Sequence, residues 1–82
     1  MNTFQTNNKL TNYLKRKGFR EISSLEEKLR GKRRFRKGYN RIILFDNEYC
    51  KLIDKGIVQY ESDYLDRKTL LEFIKTGEVY VG

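Results

Sequence analysis

Seven of the ten residues from Lys28 to Lys37 are Lys or Arg and none is acidic, with Phe35 inside the run and Tyr39 two residues beyond it. From Lys32 the side chains alternate with a period of two. Phe35, Tyr39, Ile43 and Phe45 fall on one parity, interrupted by Lys37 and Arg41, while Arg34 and Arg36 fall on the other. That period belongs to an extended strand. The densest charge in the chain is therefore expected on a strand over residues 32–41, with its apolar parity toward helices and Arg34 and Arg36 projecting from the opposite side.

The strand signals continue beyond the basic block. Ile42-Ile43-Leu44-Phe45 is fully apolar, Asp46-Asn47 is turn chemistry, and Tyr49 to Ile53 forms a returning arm, so residues 39–53 read as a β-hairpin. A second turn at Asp54-Lys55-Gly56 leads to a third strand, Ile57 to Tyr60. Helical spacing flanks this region. Leu10, Tyr13 and Leu14 share one face of a helix over Asn8 to Lys17, which Thr6, Asn7 or Asn8 can cap and Gly18 stops. Phe19 to Ile22 is short extended chain or loop. Ser24 and Glu27 form a capping box that opens a helix of about two turns, ended by Gly31. A closing helix, capped by Ser62, Asp63 or Asp66, carries the stripe Leu70, Phe73 and Ile74 and stops at Gly77. Val79 to Val81 adds an edge strand or trails.

These pieces assemble as one small α+β domain over residues 1–82: an N-terminal helix, a short second helix, a three-stranded antiparallel sheet and a C-terminal helix, with residues 1–6 and 78–82 at frayed ends. The order helix, three strands, helix resembles that of double-stranded RNA-binding domains at the level of topology. Such a domain implies a Lys-rich start to its last helix, whereas this chain offers Arg67 and Lys68 beside Asp63 and Asp66.

Charge is the strongest pointer to function. Residues 15–41 carry twelve basic and three acidic side chains, and residues 42–82 carry five basic and eight acidic, so the whole-chain charge of +7 is one basic block diluted by an acidic half. Concentrated positive charge attracts polyanions, of which nucleic acid is the commonest in a cell. The expected contact set is Lys28, Arg30, Lys32, Arg33, Arg34, Arg36, Lys37 and Arg41, extended by Lys15, Arg16, Lys17 and Arg20, with Phe35 and Tyr39 as candidates for stacking on bases. On this reading Arg33, Arg34 and Arg36 can all be replaced by Glu to abolish binding without unfolding the domain.

Catalysis finds little material. The chain has no histidine and one cysteine, Cys50, which removes the usual general base near neutral pH, intramolecular disulfides and four-ligand Cys/His zinc sites. Asp46 and Glu48 with Lys51 have the residue types of a metal-dependent nuclease core but not its spacing. The expectation is a non-enzymatic nucleic-acid-binding domain without cofactor or metal. The alternative is a phage or mobile-element accessory protein that docks on, and inhibits or modulates, an acidic or nucleic-acid-handling host protein. The longest apolar run, Ile42 to Phe45, is far below the ~18 residues of a membrane span, and no signal peptide is evident, so a cytoplasmic location without membrane contact is expected. Edge-strand dimerisation through Ile42 to Phe45 or Val79 to Val81 is compatible with either reading.

Overall fold

A computed structural model describes residues 3–79, with side chains from residue 9 onward. The chain runs α1 (Thr3–Arg16), β1 (Arg20–Glu21), α2 (Leu25–Leu29), β2 (Lys32–Lys37), β3 (Asn40–Phe45), β4 (Cys50–Asp54), β5 (Ile57–Ser62) and α3 (Arg67–Thr76). The five strands form one antiparallel meander in the order β1-β2-β3-β4-β5. Three helices and the α+β class agree with the sequence, but the expected three-stranded sheet is wrong, and so is the resemblance to the order helix, three strands, helix.

The physical reason lies at Gly38. Residues 32–45 were expected to hold one parity through Gly38, but Lys37 pairs with Asn40 and the chain reverses through a two-residue turn, Gly38–Tyr39. Gly38 has φ +60° while Tyr39 does not have positive φ, the type II′ arrangement whose twist suits a tight hairpin and whose first central position favours glycine. The reversal inverts the alternation. Phe35 pairs with Ile42 and Arg33 with Leu44, so Phe35, Ile42 and Leu44 share the inner face while Ile43 and Phe45 lie on the other. What looked like one long strand is thus β2 and β3, and Phe19 to Ile22 contributes a short fifth strand through Arg20–Arg36 and Glu21–Phe35 pairing.

The core sits between one sheet face and two helices. Leu10 and Leu14 from α1, and Leu70, Phe73 and Ile74 from α3, pack with Phe19, Phe35, Ile42, Leu44, Cys50 and Leu52. Burying each such side chain contributes about 1.5–3 kcal/mol, and the apolar stripes of α1 and α3 have no other place to go. Cys50 is a free, buried thiol, and burial pushes its pKa up. The helix ends follow local chemistry. α1 begins at Thr3, so Thr6, Asn7 and Asn8 lie within it rather than capping it. Ser24 and Glu27 form both bonds of the capping box on α2, and the Asp66 carboxylate accepts from the Lys68 and Thr69 backbone N–H groups at the start of α3.

Ile42 to Phe45 lies in the middle of the sheet, paired with β2 and β4, so it is not the exposed edge once expected to pair with another chain. Of the expected strand Val79 to Val81, Val79 packs against the core, while Tyr80 and Val81 lie outside the described residues.

Two glycines test this account. At Gly38 a Cβ meets no atom within 4 Å, so Gly38→Ala carries only the cost of positive φ, about 1–2 kcal/mol. At Gly31, with φ +79°, a Cβ would overlap the carboxylate of Asp46, a residue whose backbone N–H donates to the Gly31 carbonyl at 2.9 Å. Urea denaturation of the two variants is expected to rank Gly31→Ala as the more destabilised.

Candidate nucleic-acid interface

The meander leaves one sheet face without a covering layer from α1 or α3. Antiparallel register sets its side chains in rows across the strands. One row runs Arg20, Arg36, Arg41, Ile53, Val58 from β1 to β5, and the next includes Arg34, Ile43, Lys51 and Glu61. Neighbouring strands are about 4.8 Å apart, so the three arginines of the first row occupy roughly 10 Å. All three are exposed, and among the described residues none has a carboxylate within ion-pair distance. Arg36 Nε donates to the Gly38 carbonyl at 3.1 Å.

The rest of the basic block divides by location. Arg33 points to the helical side and grips Glu21 with a two-pronged contact, Nε to Oε2 at 2.9 Å and Nη2 to Oε1 at 2.8 Å, where both side chains are largely buried. The Arg33 hydrogen bonds hold the Glu21 carboxyl below its ordinary pKa against the opposing effect of burial. Arg34 faces the open side but is held by Glu27: Nη2 donates to Oε1 at 3.0 Å, and Nε lies 2.7 Å from Oε2, off the hydrogen-bond axis. Lys32 stands 3.7 Å from the same carboxylate, and Arg30 pairs with Glu26 at 2.9 Å. Lys28, on α2, is exposed and forms no ion pair among the described residues. Lys37 donates to the Lys17 carbonyl at 2.9 Å and lies over the Phe19 ring. Lys15 is 4.0 Å from Glu21, and Arg16 and Lys17 flank the Tyr13 ring. These cations, at the end of α1 and in the turn after it, belong to the helical side and do not extend the arginine row.

Consequently the expected site does not come together as one surface. Replacing Arg33 and Arg34 by Glu would set like charges against Glu21 and Glu27, so those changes disturb the fold, contrary to the sequence expectation. Phe35 is 0% exposed and is core, not a stacking platform. Tyr39 is the reverse case, 73% exposed, sharing a shallow concavity with Arg36, Gly38, Arg41, Lys55 and Gly56. Its carbonyl accepts from the Lys55 N–H at 3.1 Å, which ties the two hairpin turns together. Sequence reasoning missed Lys55, although Asp54-Lys55-Gly56 was legible as a turn. With Lys55 at φ 53° and Gly56 at φ 78°, this is the second tight hairpin turn at that end of the sheet.

The opposite end is acidic, and Glu61 there is internally paired. Lys51 lies 3.9 Å from Glu61, and the Tyr49 hydroxyl donates to the Glu61 carboxylate, which pushes the phenol pKa up to about 12. Asp46 and Glu48 form the β3–β4 turn, in which Glu48 takes φ 74°. Among the described residues no three carboxylate or thiol side chains converge on a position that could hold a metal ion. No described helix is long and apolar enough to cross a membrane. The chain matches no protein-family model, no curated protein and no solved structure.

Two stability predictions follow from this partition. Arg33→Gln removes a charge-assisted fork at a largely buried carboxylate and is expected to cost about 1.5–3 kcal/mol in urea denaturation. Arg36→Gln or Arg41→Gln relieves repulsion between directly opposed cations, so the midpoint stays or rises slightly. The carboxylates set the acid limit. The Ser24 backbone N–H and then the Arg34 side chain hold Glu27 down at about 2, against an ordinary 4.5, and hydrogen bonds from Thr69 lower Asp66. Their folded values lie below the unfolded ones, so the stabilisation is complete above about pH 4.5 and is lost as pH falls toward about 2. Melting temperature is expected to fall across that window, and less steeply in Glu27→Gln.

Proposed function

We propose that this protein is a non-enzymatic nucleic-acid-binding domain whose open sheet face contacts the phosphate backbone through Arg20, Arg36 and Arg41, with Lys55 beside them. The observation that carries this reading is the row itself: three exposed arginines on adjacent strands, without carboxylate partners among the described residues, on a face that neither α1 nor α3 covers. Unpaired like charges at strand spacing repel one another by up to about 1 kcal/mol per pair at low ionic strength. A phosphate chain reverses the sign of that interaction. Arginine also offers a planar fork that matches two phosphate oxygens. A cytoplasmic location, expected from the sequence, is compatible with such a ligand.

A second reading has its own observation. Leu25 and Leu29 of α2 are 72% and 80% exposed, an apolar pair one helical turn apart beside Lys28 and Arg30. An acidic, nucleic-acid-handling protein would meet both features, as an accessory or inhibitory protein requires. In that case Leu25→Ser would weaken the complex and the arginine row would not.

The test is a salt titration of binding to random duplex DNA. With three or four phosphates neutralised, log K is expected to fall against log salt with a slope of about −3 to −4, and the triple change Arg20→Gln, Arg36→Gln, Arg41→Gln to remove binding while the circular dichroism melt is retained. Binding that ignores salt, or that survives the triple change, overturns the proposal.

A further inference from the structure

We infer that the nucleic acid held by this face is single-stranded, with its bases laid on the β4–β5 half of the sheet and against Tyr39. The inference rests on the proposed nucleic-acid function and narrows its ligand. It starts from the division within the arginine row. After Arg41 the same row continues as Ile53 and Val58, the first half-buried and the second 45% exposed, with half-buried Ile43 adjacent in the next row. The cationic half of the face thus borders an apolar half at a distance of one strand, about 4.8 Å.

A duplex presents phosphates and groove edges, and its base faces are stacked away, so it has no surface that an aliphatic floor would cover. An unpaired strand has both kinds of surface side by side. Its phosphates fit the arginines and its base faces fit an apolar or aromatic platform. The orientation is fixed by charge. Glu61 closes the far side of the apolar half, where it accepts from Tyr49 and pairs with Lys51, and a phosphate there would meet a carboxylate. Backbone therefore runs on the Arg20–Arg41 side and bases on the Ile53–Val58 side. Tyr39 stands at the margin, a residue 73% exposed in the concavity that also contains Arg36, Arg41 and Lys55. An exposed ring among cations forms the stacking unit that every base can use, whatever its identity.

Fluorescence anisotropy on the full chain tests this with three labelled probes of ~12 nucleotides: a mixed-sequence single strand in DNA and RNA form, the DNA strand annealed to its complement, and a strand of the same phosphates with abasic units. The single strand is expected to bind at least about tenfold more tightly than the duplex or the abasic strand. Tyr39→Ala, folded by circular dichroism, is expected to weaken the single strand at least about fivefold and leave the duplex unchanged. Arg36→Gln is expected to weaken all probes and reduce the single-strand salt slope by about 0.7. Equal or tighter binding of duplex, equal binding of the abasic strand, or an unaffected Tyr39→Ala overturns the single-strand inference while leaving the phosphate-binding function standing. Failure of every probe at low salt overturns both.

Discussion

The two-residue reversal at Gly38–Tyr39 governs what the basic block becomes. A strand has two faces, and one residue more or less between paired strands sends every side chain of the second strand to the other face. With Lys37 opposite Asn40, Phe35 meets Ile42 in the core and Arg36 meets Arg41 in water. A longer loop would move Ile42 and Leu44 outward and bring cations against Leu14 and Phe73. Hydrophobic burial of about 1.5–3 kcal/mol per side chain fixes the register far more firmly than the arginine repulsion opposes it. The arginine row is therefore a consequence of core packing on the reverse side of the same strands.

Within that frame the cations serve two purposes, separated by what stands within reach of each. Arg33, on the helical side, has Glu21 largely buried beside it and ties β1 to β2. Arg34 and Lys32 share Glu27, whose other task is to close the capping box on α2, so one carboxylate joins a helix start to a strand. Such contacts orient elements, even where exposure keeps their individual contributions small. Arg20, Arg36 and Arg41 lie beyond the reach of these acids. Charge that the fold pairs internally and charge that it leaves without a carboxylate among the described residues thus sit within the same short segment, a few residues apart.

The sequence displayed much of this and concealed a definite part. The core stripe of α3, the capping box at Ser24 and Glu27, and the helical stop at Gly18 were legible because each depends on residues within one or two turns. The number of strands was not. Gly38 looked like an isolated punctuation mark, since Lys-Gly-Tyr-Asn lacks the Asn-Gly or Asp-Gly pair that signals a tight hairpin, and the parity of Phe35 with Tyr39 and Ile43 continued apparently unbroken across it. The short strand Arg20–Glu21 carries too few residues to show a period. The basic block was legible as a cationic surface, but its division between Arg33, bound to Glu21, and Arg36, unpaired, depends on a contact between residues twelve apart in sequence. No local pattern encodes that contact.

Backbone and arginine Nε amide shifts, followed by nuclear magnetic resonance during titration with a short single-stranded oligonucleotide at low salt, test the central claim most directly. The account predicts that perturbations concentrate at Arg20, Arg36, Tyr39, Arg41 and Lys55, and that Arg33 and the cations Lys15, Arg16 and Lys17 around the end of α1 remain largely unmoved. Perturbations centred on α1 or α2, with the arginine row unchanged, would contradict it.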